Sequence, residues 1–160
     1  MPGGPMRLRA ARAWIRRRLV GSIALIGLLL SNAALAAVLA EPDARAVRQV
    51  VEAQLEAFAA DNAERAFSYA SSDIQSQFGD ARTFMEMVRR GYPMLIRPAA
   101  VSFFQPQVSI GSPETVTQIL QVRDRDGRLW QATYLLQRQN GADWHIGGCV
   151  VAADRGAAST

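Results

Sequence analysis

The chain has one cysteine and one histidine in 160 residues, and all of its basic residues other than that histidine are arginines. Because Cys149 is the single thiol, the chain cannot form an internal disulfide. A single imidazole, His145, also argues against a zinc site, since such sites combine several His or Cys ligands. No acidic residue precedes residue 41. The charge of the chain is therefore unevenly distributed.

The net charge of +4 comes from the N-terminal region. Six of the 18 arginines lie before residue 19, so that beyond residue 40 the other 12 arginines face all 14 acidic residues, a net charge of about −2. This part has no long-range positive field for binding nucleic acid. We therefore predict no nucleic-acid partner.

Residues 1–40 have the three parts of an export signal. The Arg-rich region ends at Arg18, an uncharged apolar run follows over residues 19–30, and the small residues around Ala36 and Ala40 fit two cleavage sites. The arginines at 16–18 also satisfy a loose twin-arginine pattern. The sequence predicts export to the periplasm by the general secretory or the twin-arginine route.

An uncleaved anchor is the alternative interpretation of the same segment. Residues 19–40 carry no charge over a length sufficient to span a bilayer, and they would then hold the domain at the inner membrane. Either reading places the folded part outside the cytoplasm, because the Arg cluster stays inside. We divide the chain into this segment, a single domain over residues 41–153 and a flexible tail over 154–160.

The first half of the domain has the apolar spacing of three and four that is typical of amphipathic helices. Pro42 precedes a stripe that runs to Phe58. Asp61 is the expected N-cap of a second helix, with Glu64 completing a capping box. Further helices are predicted to begin after Ser71 and after Asp80. The last of these helices ends at Gly91 and has Arg89 and Arg90 in its final turn.

The second half predicts strands. Val101–Phe104 begins the first strand, which Pro106 interrupts and so confines to a sheet edge. Three longer strands follow, at residues 115–122, 129–138 and 144–151, joined by turns at Asp124–Gly127 and at Asn140-Gly141. Gly147-Gly148 indicates a bulge or a bend.

Helices followed by a four-stranded antiparallel meander predict an α+β fold. The sheet needs a cover for its apolar face, and the upstream helices are the candidates for it. A bent sheet around a long first helix would leave a conical cavity.

The chain resembles a family of exported bacterial proteins, domain of unknown function 4864. The resemblance covers nearly all residues after 45, and its more specific parts are Gly91-Tyr92-Pro93 and the run Trp144-x-Ile146-x-Gly148-Cys149. Further matching residues include Phe58, Asp61, Ala66-Phe67, Ala70-Ser71, Ile74, Phe78, Arg97-Pro98, Trp130 and Tyr134. That family looks like a member of the cystatin-like superfamily with nuclear-transport-factor-like cones. The resemblance implies a fold but no activity, catalytic residue or cofactor.

Two groups of residues are candidates for binding a ligand. Arg89, Arg90 and Arg97 with Tyr92 could hold a carboxylate or phosphate by bidentate bonds; the alternative is that they neutralise a helix C-terminus and pack against a sheet edge. Trp130 and Tyr134, with Leu136, alternate on one strand face, where they either fill the core or line a cavity for an apolar ligand.

Catalytic chemistry has little support. The acidic residues fall in helix caps, in turns, beside a turn or on helix surfaces, and none is predicted on the inner face of a strand. His145 and Cys149 would share one strand face, but four residues of extended chain separate them by roughly 13 Å, which is too far for proton transfer.

The leading hypothesis is a non-catalytic module of the cell envelope that binds a small ligand or an envelope protein, without a cofactor or metal. The first alternative is a pocket enzyme of isomerase or dehydratase type, in which Tyr69, Tyr92 or Tyr134 donates to an oxyanion. The second alternative is a scaffold that forms a homodimer through its sheet face.

Overall fold

The computed structural model describes residues 39–109, 112–141 and 143–154. The elements are α1 (Glu41–Ala59), α2 (Ala63–Ser68), α3 (Ser72–Phe78), α4 (Ala81–Gly91), a short 3₁₀ helix (Pro93–Leu95), β1 (Ala100–Phe103), β2 (Gln107–Ser109), β3 (Ser112–Arg123), β4 (Leu129–Gln139) and β5 (Asp143–Ala153). Helices precede a mixed set of short and long antiparallel strands. The predicted α+β class is confirmed.

Helix α1 packs the predicted apolar stripe into the core. Pro42 and the acids Glu41 and Asp43 lie in its first turn, where a missing N–H is tolerated and negative charge complements the helix dipole. Its buried residues are Val47, Val51, Gln54, Leu55, Ala57 and Phe58. The helix thus covers the inner face of the sheet along most of its length.

The N-cap predicted for α2 is wrong by one residue. Asn62, not Asp61, accepts the hydrogen bond from the backbone N–H of Arg65 at 2.9 Å. Asp61 instead takes a left-handed conformation with φ of 55°, which Asp tolerates better than most side chains. This tight reversal places the Asp61 carboxylate where Arg89 reaches it.

The caps of α3 and α4 agree with the sequence. The Ser71 hydroxyl accepts from Ile74, and the Asp80 carboxylate accepts from Thr83 at 2.8 Å. Gly79 separates the two helices at φ of 77°, a conformation that favours glycine. Helix α4 ends at Gly91 as predicted.

The sheet has five strands rather than four, because the predicted first strand is divided. Both β1 and β2 pair with β3, on either side of the break at Pro106, and the order is β1-β3-β4-β5. Across the break the Gln118 side-chain amide donates to the carbonyl of Phe104 at 2.7 Å. The proline removes a ladder donor, and the strand remains at the edge as expected.

The two turns of the meander are those that the sequence predicts. Gly127 has φ of 82°, and Asn140 and Gly141 have φ of 53° and 72°. Positive φ at two successive residues is a conformation that Asn and Gly adopt readily, and the pairing of Gln139 with Asp143 leaves a three-residue loop. These turns fix the register between the long strands β3, β4 and β5.

A bulge in β5 changes which side chains face the helices. Leu136 pairs with Ile146 and Leu135 pairs with Gly148, so Gly147 is an extra residue in β5. The bulge predicted at Gly147-Gly148 is therefore confirmed. The inserted residue reverses the alternation of side chains in the rest of β5. Cys149 therefore pairs with Tyr134, and the two side chains lie on the same face of the sheet.

The sheet's inner face and the helices enclose one apolar core. Its strand residues that are fully buried are Val116, Leu120, Val122, Ala132 and Leu136. The outer face has two large exposed side chains, Leu135 and Val150. The core thus lies between the sheet and the helix layer, which is where the cavity described below is found.

The predicted signal or anchor at residues 1–40 lies, except for its last two residues, outside the described residues. Among those that are described, none of the helices has the length and apolar character needed to cross a membrane. Of the predicted tail only Asp154 is described, and it accepts a hydrogen bond from Gln121 at 2.8 Å.

Candidate functional site: an uncharged cavity beneath the sheet

A cavity of about 230 Å³ lies between the inner face of the sheet and the helices, chiefly α3 and α4. Its lining residues are Gln54, Phe58, Ala70, Ile74, Gln77, Phe78, Phe84, Met87, Val88, Tyr92, Leu95, Tyr134, Ile146, Gly148 and Cys149. Most are aliphatic or aromatic. The polar lining atoms come from amides, two tyrosines and one thiol, and none of these lining residues is a carboxylate, an imidazole or a guanidinium.

Helix α3 forms one wall of the cavity, because backbone hydrogen bonds hold the segment before it against the edge of β5. Ile146 donates to the carbonyl of Tyr69 at 2.9 Å and accepts from the N–H of Ser71 at 2.8 Å, which makes Ala70 and Ile146 partners in a parallel bridge. These bonds occupy the free edge of β5 at this point. They hold α3, which buries no residue completely, over the cavity.

Tyr92 links the end of α4 to β5. Its hydroxyl donates to the carbonyl of Cys149 at 3.2 Å, and Pro93 begins the short 3₁₀ helix directly after it. The hydrogen bond uses a carbonyl of the edge strand close to the bulge. Tyr92 is therefore a wall residue whose donor is already occupied.

Tyr134 and Cys149 face each other across β4 and β5 at the inner end of the cavity. Burial raises the pKa of the Cys149 thiol to about 12, partly opposed by the neighbouring Tyr134. Burial, followed by the nearby Cys149 and Tyr92, raises the pKa of Tyr134 well above its usual value. Both groups are therefore neutral at physiological pH, and neither supplies a base there.

The Tyr134 hydroxyl is buried and has no hydrogen-bond partner among the described residues. The Cys149 thiol is close enough to act on it both electrostatically and as a weak hydrogen-bonding neighbour, but the contact falls outside regular hydrogen-bond geometry. Buried tyrosine hydroxyls ordinarily find a partner. By contrast, the buried Gln54, also in the wall, donates to the carbonyl of Ala66 at 3.1 Å.

The structure does not gather the predicted arginine cluster around Tyr92. Arg89 pairs with the carboxylate of Asp61 at 2.5 Å, and Arg90 lies along its own helix beside Glu86. Arg97 donates to the carbonyl of Ala59 at 2.7 Å. Arg89 and Arg97 thus both bind the junction between α1 and α2, whereas none of the three arginines lines the cavity.

Trp130 and Arg97 meet instead at a second, open groove of about 440 Å³. The Trp130 indole N–H donates to Asp124 at 2.8 Å, and this bond contributes most to holding the pKa of Asp124 below its usual value. The other oxygen of Asp124 accepts from the backbone of the turn. The groove lies around the turn that joins β3 to β4, and both charged and apolar side chains line it.

The structure also places the remaining residues that the sequence offered for chemistry: His145 with Cys149, Tyr69, and any group that could bind a metal ion. The bulge at Gly147 places Cys149 inward, so the expectation that His145 and Cys149 share a strand face is wrong. His145 lines a different groove together with Tyr69, whose hydroxyl accepts from Arg65 at 3.4 Å. Among the described residues no group of three or more His, Cys, Asp or Glu side chains is arranged to hold a metal ion.

Sequence reasoning found Tyr92 and Tyr134 but missed the other side chains that give the cavity its character. Gln54 lies on the apolar stripe of α1, and Ile74, Phe78 and Met87 occupy apolar positions of α3 and α4, so their spacing alone gives them no separate role. The apolar residue at every third or fourth position indicates burial but does not distinguish a filled core from a cavity wall. The Gly-Gly pair was the signal that could have located Cys149.

Fold and site together define an α+β domain with a partly open, uncharged cavity under an antiparallel sheet. The family model described as Domain of unknown function (DUF4864) matches residues 40–159. The chain belongs to this family. No curated protein and no solved structure matches the chain.

Proposed function

We propose that this protein is a non-catalytic binding module of the cell envelope, and that its ligand is a small, uncharged, mostly apolar molecule. The observation that carries the proposal is the cavity of about 230 Å³ with an apolar wall and no charged lining residue. A cavity of this kind in a core that is otherwise closely packed costs stability. Occupancy by a ligand would recover the contacts that the empty space lacks.

The volume limits the size of the ligand. An apolar cavity of about 150 Å³ holds benzene, and sites for drug-sized ligands begin near 300 Å³. The cavity lies between these values. We infer a ligand of about ten non-hydrogen atoms, such as a substituted single ring or a short branched chain.

The wall also limits the charge of the ligand. Moving an ionised group from water into an apolar space is costly unless an opposite charge meets it. The nearest predicted cations, Arg89 and Arg97, are engaged elsewhere by Asp61 and by a backbone carbonyl. A carboxylate or phosphate ligand would therefore be excluded from the cavity.

A substitution that fills the cavity tests the proposal. Ile74 is only partly buried and lines the cavity from α3, so Ile74→Trp can occupy the space without inserting bulk into the deepest packing. Binding of α-methylstyrene, a hydrocarbon of about nine non-hydrogen atoms, is measured by ligand-observed nuclear magnetic resonance. We expect the full chain to bind it and Ile74→Trp to lose at least about tenfold in affinity, since filling removes the ligand's buried area.

Ile119→Trp is the matched control, because Ile119 is also partly buried but lies on the other face of the sheet. It should leave binding unchanged. If the unaltered chain fails to bind hydrocarbons of this size, or if both variants weaken binding alike, the cavity is not the site.

The location in the cell envelope is supported by the composition of residues 1–40 and needs its own test. Fractionation of cells that produce the chain, followed by N-terminal sequencing, separates the possibilities. A periplasmic protein that starts at residue 37 or 41 supports export with cleavage, and an intact N-terminus in the inner membrane supports the anchor. Recovery in the cytoplasm contradicts the proposal. Membership of the cystatin-like superfamily remains part of this proposal and rests on the sequence resemblance.

A homodimer is the second candidate, favoured by one observation. Val150 is 69% exposed and Leu135 is 40% exposed, and both lie on the outer face of adjacent strands. A two-fold contact between two such faces would bury both side chains. Native mass spectrometry of the chain and of Val150→Lys tests it, since a dimer that uses this face should dissociate in the variant.

The isomerase or dehydratase alternative has tyrosine hydroxyls to hold an oxyanion, but it requires a base that the described lining residues do not supply.

A further inference from the structure

Tyr134 is the one described cavity residue whose side-chain oxygen is buried without a partner. The residue is 1% exposed, and its hydroxyl makes no hydrogen bond within the described part of the chain. Leaving a buried hydroxyl unpaired costs free energy that a phenylalanine would avoid. Two other buried side-chain atoms, on Gln118 and Trp144, also lack a partner, but Tyr134 differs from them in lining the cavity.

The neighbours of this hydroxyl place it at the cavity wall. The side chains that act on it electrostatically, Cys149 and Tyr92, are themselves lining residues. Tyr92 already donates to a backbone carbonyl. The thiol is a weak hydrogen-bonding group. Of the polar groups in this corner, the Tyr134 hydroxyl is therefore the strong donor that lacks a regular partner within the chain.

We propose that the ligand carries one uncharged oxygen acceptor, a carbonyl or hydroxyl group on an otherwise apolar body, and that the Tyr134 hydroxyl donates to it. This inference rests on the proposed function and specifies the ligand class. It assigns Tyr134 the role of a specificity residue. The apolar wall accounts for affinity, and the single donor selects oxygenated molecules over hydrocarbons of the same shape.

The protonation state leaves the Tyr134 hydroxyl able to donate. Because the pKa of Tyr134 is raised by burial, the hydroxyl keeps its proton across physiological pH. An anionic acceptor would bind such a donor more strongly in isolation, but no cation among the lining residues would offset the cost of burying its charge. A neutral oxygen satisfies the hydroxyl without that cost.

Two probes of nearly the same shape test the inference. Acetophenone and α-methylstyrene differ in that a carbonyl oxygen replaces a methylene group. We expect Tyr134→Phe to weaken acetophenone binding by roughly three- to tenfold, the usual range for one neutral hydrogen bond. Binding of α-methylstyrene should stay the same or strengthen, because the variant removes an unpaired polar atom from the wall.

Tyr69→Phe is the control, since it removes a tyrosine hydroxyl from a separate groove and should leave both affinities unchanged. Retained thermal stability of Tyr134→Phe establishes that the variant is folded. If Tyr134→Phe changes both affinities equally, the cavity binds ligands but the hydroxyl does not select them, and the inference fails while the proposed function stands. If neither probe binds the unaltered chain, both fail.

Discussion

Trp130 and Tyr134 lie four residues apart on the same face of β4, yet their polar atoms have opposite surroundings. The Trp130 N–H donates to Asp124 within the turn that joins β3 to β4. The Tyr134 hydroxyl, at the middle of the strand and beside the cavity, has no regular hydrogen-bond partner among the described residues. The start of the strand is thus completed by the adjoining turn, whereas its middle lies beside a space that the chain does not fill.

The difference separates a structural aromatic residue from a candidate binding residue. Asp124 has its two oxygens bonded to the indole and to two backbone N–H groups, so the groove at this turn needs no ligand to satisfy it. The cavity contains an unsatisfied donor and no charge. An unsatisfied buried group that also lines a cavity is a position where a ligand can contribute a partner.

The largest expected effect concerns the reactivity of the Cys149 thiol. With a pKa of about 12 in the folded chain and 9.0 as the ordinary value, the thiolate fraction at pH 8 is about a thousandfold lower in the folded state. Alkylation by iodoacetamide should be slower by at least that factor than in the denatured chain. Mass spectrometry over time measures both rates.

The control is the same chain in denaturant, which keeps the thiol and removes its surroundings. Equal rates in the two states would mean that the thiol is ionised and wet in the folded protein. The inner end of the cavity, where Cys149 and Tyr134 face each other, would then not be the apolar surroundings on which the contrast with Trp130 depends.

Trp130→Phe tests the structural role of the indole hydrogen bond to Asp124 at the start of β4. Loss of the indole hydrogen bond and of some packing should lower the free energy of unfolding by about 1–2 kcal/mol. Denaturant unfolding monitored by circular dichroism measures it. Ligand binding in the cavity should not change, because Trp130 does not line it.

A double-mutant cycle with Asp124→Ala isolates the hydrogen bond from the packing. Trp130→Phe should cost less in the Asp124→Ala background, since the partner has already been removed. Identical costs in both backgrounds would show that Trp130 contributes packing alone, and the comparison with Tyr134 would lose its basis.

Features governed by neighbouring residues were predictable from the sequence. The turn at Gly127, the Asn140-Gly141 hairpin and the Asp80 cap each depend on the conformations open to a few adjacent residues. The interruption of the first strand followed from Pro106, although its division into two separately paired strands did not. The α+β class followed from the order of these elements.

Features that depend on distant parts of the chain were not predictable from spacing. Asp61 has the side chain of an N-cap, but the path of the chain towards Arg89 gives that role to Asn62. The arginines near Tyr92 are close in sequence, but Arg89 and Arg97 bind the α1–α2 junction and Arg90 lies along its own helix. The cavity itself arises where α3 is held against β5 by backbone bonds that leave no mark on the side-chain pattern.

An effect of intermediate size is expected at alkaline pH. The unfolded chain releases the Cys149 proton near pH 9.0, whereas the folded chain retains it to about pH 12. The contribution is fully present below pH 9 and is lost as pH rises through this window. The slope should approach about 1.4 kcal/mol per pH unit. Cys149→Ala should show a shallower slope between pH 9 and 10; equal slopes would contradict the raised pKa.

The smallest expected effect is the most discriminating, because its sign is unusual. Tyr134→Phe in the absence of ligand should change the free energy of unfolding by between zero and about 1 kcal/mol in the stabilising direction, since it removes a buried oxygen that bonds nothing. Most buried substitutions destabilise. Denaturant unfolding measures the change, and Tyr92→Phe, which removes a bonded hydroxyl from the same wall, should destabilise. A clear loss of stability in Tyr134→Phe would mean that the hydroxyl already has a structural role. The distinction between Trp130 and Tyr134 would then fail.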